Sequence, residues 1–172
     1  PGDSSPTTSA ASTTSSGGTA ATAAPTSSTT PPVTLSQYEK DLADTAGLAN
    51  ELVRYLSDQG MANDDPRAAV IYGLRARTVA LFCRKSLAEN DLDNARTSMT
   101  DVYANANRGR NVAEGEVAQI LETAYAAIES VGDPTGAPEQ AAAKLDEFIA
   151  LLEPMMAEAA ALLGTEAGST TT

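Results

Sequence analysis

From Leu35 almost to the end of the chain, apolar side chains recur every three or four residues; before Val33 no such rhythm exists. The chain therefore divides into a non-periodic leader and a helical remainder. Leu35, Tyr38, Leu42, Thr45, Ala49, Leu52 and Leu56 form one stripe of a first helix, with Lys40, Asp41, Asp44, Glu51, Arg54 and Asp58 mostly off it. Thr34 or Ser36 can head a capping box, with Gln37 or Glu39 three positions on. Gly60 supplies the stop just past the last repeat.

Asp65–Pro66 opens a second helix, because proline at the first turn loses no helical hydrogen bond. Its apolar stripe is Ile71, Leu74, Thr78, Leu81 and Phe82, while Ala69, Tyr72, Gly73, Ala76, Ala80 and Cys83 make the other side nearly chargeless. A helix small or apolar on both faces is buried on both. This helix is therefore either central in the fold or joined to a second copy, a homodimer seated on Gly73, Ala76 and Ala80. Asn90–Asp91 makes a tight connection in which Asp91 can cap the third helix, striped by Leu92, Ala95, Met99, Val102 and Ala106. The hairpin Cys83–Ala95 resembles one tetratricopeptide hairpin, although no second copy follows at the roughly 34-residue period of that repeat.

Between Asn105 and Gly115 the residues disfavour a regular helix, so a break or kink is expected there. The stripe resumes through Val117, Ile120, Leu121, Ala124, Ile128 and Val131, and the loop 132–136 reverses the chain. Pro138 opens the last helix, which Pro154 should bend by removing one hydrogen bond. No segment alternates with period two. The expected fold is all-α: an up-down bundle of four long helices, or five if the break near Gly109 is complete.

Composition adds the leader's character. Residues 1–34 carry 18 Ser or Thr and one charge, Asp3. Such a segment buries too little to offset about 1–2 kcal/mol of backbone ordering per residue. It is expected to be a disordered tether, with residues 35–164 as the folded domain and 165–172 as a disordered tail. The stretch Pro1–Pro32 resembles the tether of a mature bacterial lipoprotein. That resemblance implies a signal peptide, a lipid anchor upstream of Pro1, and an exported, periplasmic or cell-surface location. As a flexible coil the segment would span roughly 30 Å, and about 110 Å fully stretched.

The formal net charge of −12 argues against nucleic acid, whose phosphates require a clustered basic surface. No run of apolar residues is long enough to span a bilayer; the nearest, Ala68–Ala88, contains Arg75, Arg77, Arg84 and Lys85. Histidine is absent, which excludes Ser-His-Asp and Cys-His catalysis and the Glu-x-x-His pair of di-iron bundles. Glu122 and Glu129 share a face but flank an apolar stripe, so they face water rather than form a catalytic pair. Asp91 and Asp93 lack the Gly and closing Glu of a calcium loop, and Met155–Met156 reads as core filling. Neither an enzyme nor a cofactor is expected, and the lone Cys83 reads as a small buried residue.

Charge is unevenly placed. Residues 67–110 hold Arg67, Arg75, Arg77, Arg84, Lys85, Arg96, Arg108 and Arg110 against Glu89, Asp91, Asp93 and Asp101, a local balance of +4. One account is internal pairing with the acidic first and last helices. The other is a basic patch of Arg77, Arg84, Arg108 and Arg110 that docks an anionic partner, with Arg108 and Arg110 at the helix break. The function expected is a tethered, non-enzymatic interaction module of the cell envelope that binds a protein or itself. A carrier of an apolar or anionic small ligand is the alternative.

Overall fold

The computed structural model describes residues 34–62 and 64–164. Those residues form α1 (Leu35–Asp58), α2 (Ala68–Ala88), α3 (Leu92–Val112), α4 (Gly115–Ile128), α5 (Pro138–Leu151) and α6 (Pro154–Gly164), without a strand among them. The expected tether and tail lie, apart from Thr34, outside the described residues. The all-α bundle is as read from the periodicity. It has five rods, the last divided into α5 and α6.

Several boundaries follow from single residues. Gly60 takes a left-handed φ of 71°, so that Met61 N–H reaches Leu56 O (3.0 Å) and Gly60 N–H reaches Ser57 O (3.0 Å). Asn90, at φ 59°, ends α2 in the same way, and Asp91 then accepts from Asn94 N (3.3 Å) to start α3. At the head of α1, Thr34 occupies the cap position but caps nothing; its hydroxyl lies 3.0 Å from that of Ser36 instead of forming the expected box. The helix break falls at Ala113–Glu114, immediately before Gly115 with its φ of 59°. Asn105 and Gly109 remain helical. Pro154 does more than bend its helix: Leu152 and Glu153 form a turn, and α6 begins at the proline.

Contacts along the rods run in opposite senses. Arg77 meets Thr45 and Lys85 meets Glu39 across α1 and α2; Cys83 meets Ala95 while Tyr72 meets Gly109 across α2 and α3. Arg84–Asp146 and Arg77–Glu153 set α2 against the α5–α6 rod in the same antiparallel way. This is the up-down arrangement.

α2 is the hub, touching every other helix. α3, α4, the α5–α6 rod and α1 follow one another around it, whereas α1 and α3 scarcely meet. The small residues explain how one helix can have so many neighbours. A Cβ placed on Gly73 would stand 3.1 Å from the Met155 side chain and 3.5 Å from Leu121. On Gly109 of α3 it would stand 3.1 Å from Leu121 and 3.3 Å from Cβ of Tyr72. Ala69, Ala76, Ala80 and Cys83 of α2 are fully buried. Around them Leu52, Leu56, Leu74, Val102, Leu145 and Phe148 are excluded from solvent, each large side chain contributing about 1.5–3 kcal/mol.

The homodimer on Gly73, Ala76 and Ala80 is thereby corrected: the chain's own helices cover all three residues. Gly73→Leu should lower unfolding stability in urea by about 1–3 kcal/mol through overpacking. Unchanged stability would mean that α2, α4 and α6 are not in close contact there.

Candidate functional site

The four arginines proposed as a patch are not brought together. Arg77 is buried on the inner side of α2, donating to the Thr45 hydroxyl of α1 and ion-paired with Glu153 at the α5–α6 turn. Its Nε is buried without a partner. Arg84 lies one helical face-repeat on, gripping Asp146 of α5 at 3.0 and 3.1 Å and standing 5.3 Å over the Tyr38 ring. Tyr38 itself donates to Asp146 (3.2 Å), and burial, then the Asp146 charge, raises its phenol above the usual range. Arg110 points towards α4, 2.7 Å from Glu122 and 4.1 Å over the Tyr125 ring. Arg108 alone is exposed and unpaired. Arg108 and Arg110 do not flank a break, since both lie within α3 and Gly109 between them is packed on Leu121.

Internal pairing thus accounts for most of the basic excess. Lys85 reaches Glu39 of α1 (3.1 Å), and Arg96 reaches Asp133 of the α4–α5 loop (3.1 Å). Arg67 holds Asp65 below the usual carboxylate range through its side-chain hydrogen bonds. Asp133 is likewise lowered, chiefly by the Thr135 amide. Cys83 donates to Ala95 O (3.2 Å), and burial pushes its thiol up to about 12, so it is not a nucleophile at neutral pH. Among the described residues no three His, Cys, Asp or Glu side chains converge on a metal position, and no helix is long and apolar enough to cross a membrane.

The open side of α2 is different. Where α1 and α3 leave a gap, Arg75, Thr78, Val79 and Phe82 line its surface with the three-four spacing of one helical face. Two adjoining hollows, of about 200 and 380 Å³, share Thr78 and Val79 and so make one groove. The smaller is walled by Ala46, Ala49 and Asn50 of α1 and Asn105 of α3. The larger reaches Leu42 on one side and Asn94, Ser98 and Asp101 on the other. Phe82, read from sequence as a core position, is 41% exposed on this floor.

One of the cations that the fold leaves unpaired lines this groove. Among the described residues Arg54, Arg75 and Arg108 have no carboxylate within ion-pair distance, in contrast to the other eight basic side chains. Arg75 lines the smaller hollow. Arg54 stands one turn beyond Asn50 on α1, and Arg108 one turn beyond Asn105 on α3, at the same end. Sequence reasoning counted Arg75 in the basic segment but singled out neither it nor Arg54. The spacing of Arg75, Val79 and Phe82 is the signal that could have found the face. A comparable hollow between α2 and α5, lined by Arg84, Leu87, Glu139 and Asp146, has its arginine already neutralised.

No family model, curated protein or solved structure matches the chain.

Arg77 is the costliest polar group in the interior, so its partners should matter to stability. Thr45→Val keeps the shape but leaves a guanidinium N–H without its acceptor, and should cost about 1–3 kcal/mol in chemical unfolding. A loss below a few tenths would show that water replaces Thr45 freely.

Proposed function

We propose that this chain is a non-enzymatic interaction module of the cell envelope, a tethered helical bundle that engages a protein through the open side of α2. The observation that carries the reading is the groove between α1 and α3. It combines an apolar floor, a half-exposed phenylalanine and Arg75, a cation without an internal partner. A folded chain gains nothing from leaving such groups in water, and an exposed apolar strip rimmed by polar residues is the usual form of a binding surface.

The chemistry available elsewhere supports binding over turnover. The lowered carboxylates, Asp65 and Asp133, are surface groups held ionised, opposite to what a general acid requires. A small-ligand carrier is the weaker alternative, because ligand pockets enclose most of their guest, whereas this groove lies along the surface between two helices. The envelope location rests on the composition of residues 1–34 and its resemblance to lipoprotein tethers.

Treating intact producer cells with an amine crosslinker that does not cross the cytoplasmic membrane tests both parts. The expected outcome is a discrete, heavier adduct with a second polypeptide, formed before lysis. Adducts formed only after lysis would remove the location, and recovery of uncrosslinked monomer alone would remove the interaction role.

A further inference from the structure

From the geometry of the groove we infer the class of its occupant: an amphipathic helix of another protein, apolar along one face and acidic at the end that overlies Arg75. The claim rests on the interaction-module reading and specifies its partner.

Backbone chemistry selects a helix. The groove walls are α-helices whose amides and carbonyls are already paired, so they offer no edge to which an extended strand could hydrogen-bond. An occupant lying against them must satisfy its own backbone, which a helix does. The length agrees. From Leu42 to Arg54 the α1 wall runs about 18 Å at 1.5 Å per residue, the length of roughly three turns.

Charge sets the occupant's polarity. Arg75 lines the smaller hollow, with Arg54 and Arg108 on the next turns of α1 and α3, while Asp101 lines the larger one. Arginine's planar fork suits carboxylates. The chain's net charge of −12 opposes a partner acidic throughout, so the acid belongs at one end and not over Asp101.

Residues 1–33 and 165–172 contain no Leu, Ile, Met, Phe or Tyr, so neither segment has a large apolar anchor to place on Val79 and Phe82. A second copy carries the same −12 charge and is repelled at long range.

The test is selection from a displayed library of helix-forming 15-residue peptides, with the full chain as bait. Enriched peptides should share apolar residues at three-four spacing and Asp or Glu at one end. Their affinity should fall about tenfold or more for Phe82→Ser and for Arg75→Glu, and about threefold for Arg54→Glu or Arg108→Glu. All four positions are exposed, and thermal melting checks that each variant folds. No enrichment, peptides without acid, or affinities unmoved by these substitutions would overturn the claim. So would a concentration-dependent dimer abolished by Phe82→Ser, which would make a second copy the occupant. The two readings fail separately: a cellular adduct that persists in the Phe82→Ser variant keeps the interaction module and removes the groove.

Discussion

The fold depends on α2 carrying small residues on the face that α4 and α6 approach. Glycine at 73 and alanine at 69, 76 and 80 bring the helix surface close to its own backbone, so four rods can pack around one. Gly109 does the same for α3 from the opposite side, admitting Leu121 and the backbone side of Tyr72. Helices pressed this closely gain many weak dispersion contacts, but they tolerate little change in volume. The four rods leave one strip of the hub uncovered. What remains is a strip of α2 bounded by α1 and α3, and its exposure follows from the same packing that buries the rest.

Electrostatics completes the division between inside and outside. α2 sends Arg77 and Arg84 inward to Glu153 and Asp146, tying the hub to the last rod at two heights. α3 turns Arg110 on to Glu122 and Tyr125, and Tyr103 of the same helix donates to Ile128 O (2.6 Å) at the end of α4. These pairs are partly solvated and contribute modestly to stability. Their larger effect is on register, since an arginine fork must meet its carboxylate at one position along the rod. Cations used in this way are unavailable to a partner. Arg54, Arg75 and Arg108 are not used, and Arg75 lines the open strip.

Periodicity made the helices legible. The stripe of Leu52 and Leu56, the repeat through Ala141, Leu145 and Phe148, and the left-handed stop at Gly60 stand as the residues imply. The centrality of α2 was legible as well, in a helix small on one face and apolar on the other. The break that intrinsic propensity placed between Asn105 and Gly115 falls at Ala113–Glu114, because packing on Leu121 keeps Gly109 helical for another turn. The arginine site was illegible for a different reason. Whether Arg77 or Arg75 is free depends on which lies opposite Glu153, a residue 76 positions from Arg77, and no local pattern encodes that pairing. Phe82 misled in turn because its spacing fits the stripe, whereas its burial depends on a fifth neighbour that the ring lacks.

Native-state hydrogen exchange, resolved by amide, tests the central place of α2 most directly. If α2 is the hub, amides from Leu74 to Ser86 exchange only through global unfolding and are the slowest in the domain, while α1 and α6 open by smaller fluctuations. Exchange in α2 as fast as in α1 or α6 would contradict the arrangement, and the groove defined by it would lose its foundation.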